Sequence, residues 1–378
     1  MELTSMMMPV LGLSEQANSS SDFYEEYSSS IIIPPSCQKV DHGFARNAII
    51  LGIFFFIGFL GNSFLMMVIL SNPRLRTSAN ILLTNLALGD LLYVAASGPF
   101  FLEHELSPCW QYGHVACKLV NFTQGVGQGI CVYSLTALSI ERYSVLVRGG
   151  TIRHGGRTRR GVLAACTVWF VSCVVATPVL AYAHVKGDDS SPQCFYTRLF
   201  SIEAQIYEIL KALLMYIVPL VIIACLYTII AHTLFKSAGA FAGETQPGAR
   251  HFSARRRLAL TVLLLALFFG TLWLPYYVFI VWFQLHPESI SQMPGFHAFR
   301  YIYYFSSLAN SCINPWIIFV MSTSHRKALM FFIRCRKHEQ PPISVAYTRT
   351  MPNGIPGEKM KQPVDSRSGS RNTRCTEL

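Results

Sequence analysis

Seven blocks of apolar residues, each on the order of 20 residues or more, are separated along this chain by shorter polar connections. They fall near residues 45–70, 81–102, 116–147, 162–182, 206–235, 258–285 and 299–321. A run of that length without alternation suits a bilayer better than one face of a soluble core. Backbone groups in lipid must bond internally, so each block predicts a helix rather than an open strand. The expected fold is an all-α membrane protein, a seven-transmembrane helix bundle over residues 45–322. A polar tail, 1–44, precedes it; a short amphipathic helix on the membrane surface, 323–336, and a polar tail, 337–378, follow. The last tail turns Pro-, Gly- and Ser-containing and is expected to be disordered.

Composition agrees: 52% of residues are hydrophobic and 13% charged, the latter about half the usual globular share. The net charge of +11 would suit nucleic acid, but its distribution argues against that partner. Arg74 and Arg76 lie in the first connection. Arg148, Arg153, Arg157, Arg159 and Arg160 lie in the third, and Lys236, Arg250, Arg255, Arg256 and Arg257 in the fifth. Arg326, Lys327, Arg334, Arg336 and Lys337 follow the last span. The alternate connections hold Glu103, Glu105, Asp188, Asp189 and Glu288 instead. The positive-inside rule then predicts a multi-pass protein of the plasma membrane with an extracellular N-terminus and a cytoplasmic C-terminus. Asn18-Ser19-Ser20 is a glycosylation sequon in the outer tail, whereas Asn121-Phe122-Thr123 lies within a span and is expected to go unused. Residues 6–13 are short, contain Pro9 and lack a basic start, so the first span is expected to serve as the signal anchor.

Of eleven cysteines, four fall outside by this topology: Cys37, Cys109, Cys117 and Cys194. An even count in an oxidising compartment suggests two disulfides. A Cys117–Cys194 bridge would pin the loop between the fourth and fifth spans over the bundle mouth. Cys37 and Cys109 either form a second bridge or remain thiols. Cys131, Cys166, Cys173, Cys225 and Cys312 read as small packing residues. Cys335 follows a basic amphipathic segment and is a palmitoylation candidate.

Polar and helix-breaking residues punctuate the spans. Asp90, in Leu86-Ala87-Leu88-Gly89-Asp90-Leu91-Leu92, needs an ion or a polar partner at membrane depth. Asn62, Asn310, Ser311 and Asn314 are natural partners, and together they can hold a small cation such as sodium. Pro178, Pro219, Pro275 and Pro315 each remove a helix hydrogen bond and permit a kink, although prolines are frequent in membrane helices generally. The third span ends in Ser139-Ile140-Glu141-Arg142-Tyr143. Its Arg and Tyr either anchor the helix at the interface or exchange partners, an acid at rest and an incoming protein when active. No glycine-rich phosphate loop, His-Glu-x-x-His or Gly-x-Ser-x-Gly elbow occurs, so no enzymatic activity is expected.

Together these motifs resemble the rhodopsin-like family of G-protein-coupled receptors over about residues 45–336. Gly61-Asn62 matches the first-helix motif, Leu86-Ala87-Leu88-Gly89-Asp90 the second, and Cys117 with Glu141-Arg142-Tyr143 the two ends of the third. Trp169 and Pro178 match the fourth, Pro219 and Tyr227 the fifth, Phe269, Trp273 and Pro275 the sixth, and Asn314-Pro315 the seventh. The resemblance implies that an agonist moves Trp273 and Phe269, that the sixth helix swings about Pro275, and that Arg142 is freed to meet a heterotrimeric G protein. The chain departs from the pattern where Ile318 replaces the usual seventh-helix Tyr, leaving Tyr227 without its customary partner. Cys131 stands where a Ser is frequent, beside the expected sodium site.

Gln124 occupies the place of the acid that amine receptors carry, and Leu308 that of the retinal-binding lysine of opsins. A neutral donor and acceptor suits a peptide amide. Cys117-Lys118-Leu119 and Ser134-Leu135-Thr136-Ala137-Leu138-Ser139 are similar to neuropeptide receptors of the bombesin, endothelin and CCHamide group. The resemblance implies a pocket of Gln124, Gln128, Trp273, Tyr276, Tyr277, Arg300, Tyr303 and Tyr304, with Arg300 available to a ligand acid. Tyr301 and Tyr303 alternatively belong to the outer aromatic belt. Asp22, Glu25 and Glu26 in the outer tail either steer a basic peptide or form a solvated stretch. A Gq-type partner is the first expectation. Arrestin is expected after phosphorylation at Ser366, Ser368, Ser370 and Thr373, a PDZ protein at Thr376-Glu377-Leu378, and acidic lipid against the basic connections. The alternatives are a receptor of the same family for a lipid or small metabolite, and a transporter or channel using the midplane polar residues, of which Asp90 reads as the one clear deep acid.

Overall fold

The computed structural model describes residues 44–333, except 76, 107–108, 149–153, 187–191, 196–200, 241–246, 287–288 and 291–292. Asn18, Cys37, Cys335, Ser366, Ser368, Ser370, Thr373 and Thr376-Glu377-Leu378 lie outside the described residues.

Each apolar block is helical. The helices are α1 (Phe44–Ser71), α2 (Ser78–Leu106), α3 (Gly113–Leu146), α4 (His154–Ala176), α5 (Pro178–Tyr182), α6 (Ile202–Ala212), α7 (Val218–Ala240), α8 (Pro247–Leu285), α9 (Phe296–Met321) and α10 (Thr323–Ile333). The helices overrun the apolar blocks because propensity and hydrogen bonding continue where lipid solubility stops. At 39 residues, α8 is about 58 Å long, nearly twice a bilayer core of about 30 Å. Its surplus lies before Leu258, so that Arg256 and Arg257 stand at the edge of the apolar part.

Five segments are long and apolar enough to cross a membrane by length and composition: Ile49–Ser71, Ser78–Gly98, Thr158–Tyr182, Ile202–Phe235 and Arg256–Leu285. The third and seventh blocks, α3 and α9, are more polar, for a reason visible in their packing. From α3, Gln128, Ser134 and Ser139 are buried; from α9, Ser307, Asn310, Ser311 and Asn314. Polar side chains that face other helices need not meet lipid.

Prolines interrupt the expected places. Pro178 is the first residue of α5, where its missing N–H costs nothing, and α4 stops just before it. Pro275 and Pro315 lie inside α8 and α9. One turn of π-helix, Leu213–Ile217, joins α6 to α7 just before Pro219.

Close approach of α2 to α3 depends on two glycines. A Cβ on Gly89 would meet Ile130 Cγ2 at 2.7 Å, and one on Gly127 would meet the Gly89 oxygen at 2.9 Å. Beside this contact, Trp169 Nε1 of α4 donates to Asn85 Oδ1 (2.9 Å), and Asn85 Nδ2 donates to Ser134 Oγ (2.8 Å). Three helices are thus fixed by buried, satisfied hydrogen bonds.

The connection after α5 is a small antiparallel hairpin, an addition to the all-helical expectation. β1 (His184–Lys186) pairs with β2 (Gln193–Phe195), Val185 opposite Cys194. Cys194 is bonded to Cys117 at the start of α3, so the hairpin is pinned there as expected. Cys109 is also disulfide-bonded, its partner lying outside the described residues.

At the opposite, basic end, Ser322 separates α9 from α10. Its Oγ lies 2.6 Å from His325 Nδ1, and His325 is only 3% exposed. Burial pushes the imidazole down to about 4, from an ordinary value of 6.5. Above pH 6.5 docked and undocked states are both neutral. Between pH 6.5 and about 4 the undocked histidine takes up a proton that the docked one refuses, so docking weakens as pH falls. The purified protein should therefore lose more melting temperature between pH 7.5 and 5 than His325→Gln does; equal losses would refute this.

Candidate functional site

The disulfide end of the bundle gathers aromatic rings onto one polar centre. Tyr276 and Tyr277 follow Pro275 on α8, so they leave the helix on adjacent faces of a proline-modified turn. Tyr276 meets Trp273 edge-on at 5.3 Å, Tyr277 at 5.2 Å and Tyr303 at 5.9 Å. Gln128 Nε2 from α3 donates to Tyr277 Oη at 2.6 Å, which satisfies a buried carboxamide. Trp273 continues downward to Phe269 (6.0 Å) and sideways to Tyr93 of α2 (5.2 Å). Phe269 meets Tyr216 of the π turn at 6.3 Å. The rings form one continuous path from the disulfide end to mid-bundle.

Four of the expected pocket residues, Gln128, Trp273, Tyr276 and Tyr277, thus come together. The others sit around them. Gln124 is half-buried one helical turn before Gln128. Tyr304 Oη donates to the Ser97 carbonyl at 2.8 Å, tying α9 to α2. Tyr303 stacks on Phe279 at 4.3 Å, which places it in the α8–α9 packing. The Arg300 guanidinium lies over the Tyr301 ring at 5.8 Å.

Glu208 and Lys211 of α6 were not anticipated. Both are buried, their side chains 1% and 6% exposed, with Lys211 Nζ 3.6 Å from Glu208 Oε2. Lys211 Nζ donates to Tyr276 Oη at 2.9 Å. Asp90 is therefore not the one deep acid, and the expectation to that effect is corrected. The available signal was a Glu and a Lys three apart inside an apolar block. Starting that block at 206 put both near the interface, whereas α6 begins at Ile202 and carries them a turn deeper.

The midplane cluster forms around Asp90. Its Oδ2 accepts from Asn314 Nδ2 at 2.9 Å and its Oδ1 from the Cys131 thiol at 3.2 Å. Asn62 Nδ2 donates instead to the Ser311 backbone carbonyl at 2.9 Å, joining α1 to α9. The carboxamide oxygens of Asn62, Asn310 and Asn314 are buried without a hydrogen-bond partner. A carboxylate with such neutral oxygens is the donor set that a hard monovalent cation prefers, and the Cys131 thiol is its softest member.

At the basic end, Arg142 Nη2 lies 3.6 Å from Glu141 Oε2. Tyr227 Oη donates to the Ala259 carbonyl of α8 at 2.9 Å. Ile318 is fully buried, so Tyr227 is engaged with α8 where the usual seventh-helix tyrosine is missing.

Comparison with known proteins follows this geometry. Residues 61–318 match the sequence profile described as "7 transmembrane receptor (rhodopsin family)". The chain is 34% identical over 300 residues to the neuropeptide CCHamide-1 receptor of Drosophila melanogaster, a match covering 76% of this chain and 60% of that protein. It is 30% identical to bombesin receptor subtype-3 of Ovis aries, covering 77% of this chain and 75% of that one. It is also 30% identical to the [Phe13]-bombesin receptor of Bombina orientalis, covering 75% of each.

Proposed function

The chain belongs to the rhodopsin family of seven-transmembrane receptors, and from that premise we propose that it binds an extracellular neuropeptide and activates heterotrimeric G proteins, Gq-type first. The observation that carries this reading is the continuous path Tyr276–Trp273–Phe269. A ligand that displaces Tyr276 must also disturb the rings beside Pro275, the one proline inside α8. To act as an agonist it has to bind the rearranged bundle more tightly than the resting one. The relatives named as neuropeptide receptors support a peptide over a lipid or metabolite.

The activation step follows from the same residues. Movement of α8 about Pro275 would break the Tyr227–Ala259 bond and open the basic end, where Arg142 lies. Sodium is the proposed modulator at Asp90, held with Asn310, Ser311 and Asn314; it would supply charge that keeps the midplane closed. The extracellular N-terminus, glycosylation at Asn18, a Cys37–Cys109 bridge and palmitoylation at Cys335 belong to the same proposal. So do arrestin on the phosphorylated tail, a PDZ protein at Thr376-Glu377-Leu378, and acidic lipid at the inner surface.

The test is intracellular calcium in cells expressing the full chain, challenged with a panel of amidated neuropeptides that includes CCHamide-1 and bombesin. A saturable rise from one class of peptide, absent from Arg142→Ala cells, is expected. Silence across the panel with surface receptor present overturns the Gq reading and directs the next measurements to cyclic AMP and non-peptide ligands.

A further inference from the structure

The ion pair on α6 is under-satisfied on one side only. Lys211 has Tyr276 Oη as an acceptor at 2.9 Å, and its Nζ lies 5.3 Å from the centre of the Tyr276 ring and 5.8 Å from that of Tyr207. Glu208 has the ammonium at 3.6 Å from Oε2, and neither carboxylate oxygen has a closer hydrogen-bond donor. An ionised carboxylate offers about four lone-pair positions. Leaving most of them unfilled in a buried site is costly, and a buried pair with long geometry is weak as a source of stability. Charged groups at membrane depth are retained where they serve a ligand or an ion. Within the described residues, this acid is the one set among the rings that continue to Trp273.

We propose that Glu208 is a ligand subsite for a cationic nitrogen group, the guanidinium or ammonium of a basic peptide side chain, with Lys211 as the internal counter-ion it displaces. A guanidinium brings two parallel donors, which match the two carboxylate oxygens once the ammonium is displaced. A neutral amide brings donors but no charge to compete with the ammonium. Once the ligand cation holds Glu208, Lys211 loses its anionic partner and its bond to Tyr276 is no longer held in place. Tyr276 rests edge-on against Trp273, so the exchange reaches the ring path directly. The acidic Asp22, Glu25 and Glu26 of the N-terminal tail suit the same class of basic ligand through long-range attraction. The subsite also changes what Gln124 implies: a cation lacks an acid on α3 but finds one on α6. This deepens the peptide-receptor reading and rests on it.

The test uses purified full-length receptor and a fragment probe, so it does not require the native peptide. Benzamidine, an aromatic amidinium, is titrated at millimolar concentrations against thermal stability, with neutral benzamide as its matched control. Benzamidine should stabilise the wild type more than benzamide does. Glu208→Gln should raise its half-maximal concentration at least about tenfold, since hydrogen bonds to a charged group of this kind are worth that much or more. Lys211→Met should lower it several-fold, because the acid has lost its competitor. A merely structural pair would not give opposite signs for the two variants. If Glu208→Gln fails to fold, the direction of the Lys211→Met effect decides. Benzamidine without effect on the wild type, equal binding to Glu208→Gln, or weaker binding to Lys211→Met each overturns the subsite. A silent peptide panel with the benzamidine pattern intact would overturn the Gq reading alone; the reverse would overturn the subsite alone.

Discussion

Replacing Cys117 or Cys194 with Ala should remove nearly all ligand-competent receptor from the cell surface. The bridge spans 77 residues of sequence, and opening a loop of that size returns about 4 kcal/mol of entropy to the unfolded chain. That is a large part of a typical folding stability. The local loss is as serious. Cys117 is completely buried and packs with Trp110, Val179, Ala183 and Tyr207. Asn121 Nδ2 bridges the Cys117 carbonyl at 2.8 Å and the Cys194 sulfur at 3.3 Å. Without the bridge the β1–β2 hairpin is held to α3 by non-covalent contacts alone, such as the Val185 N–H donating to His114 Nδ1 at 3.2 Å. Tyr207 immediately precedes Glu208, so the ligand subsite would loosen with it. Flow cytometry of an epitope-tagged receptor, surface against total, measures the effect. Cys166→Ala, at an exposed thiol of α4, is the matched control and should be neutral. Wild-type surface levels and binding in Cys117→Ala would show that the hairpin does not depend on its bridge.

The contrast between these cysteines and the α6 pair explains how far the sequence could be read. Block length predicts a spanning helix because lipid imposes one answer on an unpaired backbone, and all seven blocks are helical. Charge in alternate connections gives an expected orientation because Lys and Arg cross membranes poorly. The positions of Asp90, Arg142 and Pro275 were legible because each breaks the apolar pattern in its own span, and that of Cys117 because the topology sets it outside. Partnerships were not legible to the same degree. Asn62 was expected at Asp90 and instead holds the Ser311 carbonyl. The contact of Arg300 with the Tyr301 ring was likewise not visible in the sequence. Which neighbour a side chain meets depends on the rotation of each helix about its axis, and packing, not local pattern, sets that rotation. The β1–β2 hairpin was missed for a related reason: three-residue strands carry too short an alternation to distinguish from loop. Glu208 and Lys211 carry the same signal as Asp90, a charge inside an apolar block, but a block starting at 206 sets them near the interface, where charge needs no buried partner.

Arg142→Ala should abolish the agonist response while leaving ligand binding within a few-fold of wild type. Arg142 lies at the far end of α3 from Gln128, about 21 Å away along the helix at 1.5 Å per residue, so it cannot touch the pocket. Its side chain is mostly buried, 11% exposed, and its acidic neighbour Glu141 lies 3.6 Å away. Glu141 Oε2 has no hydrogen-bond partner, so the contact is a loose charge pair rather than a fixed bidentate clamp. A switching role for this arginine and a role as interfacial anchor predict different outcomes for its variants. Glu141→Gln should accordingly raise ligand-free output several-fold, since it weakens what holds Arg142 at rest. Arg142→Lys should rescue little, because an ammonium lacks the planar fork that a guanidinium offers to a partner's backbone carbonyls. Calcium output normalised to surface receptor, with agonist-displacement binding on the same cells, separates the cases. An anchor would lower surface level and binding together in Arg142→Ala and leave the output per receptor unchanged. A switch would leave binding intact and lose the output, and the opposite shift in Glu141→Gln would locate the resting contact at this pair.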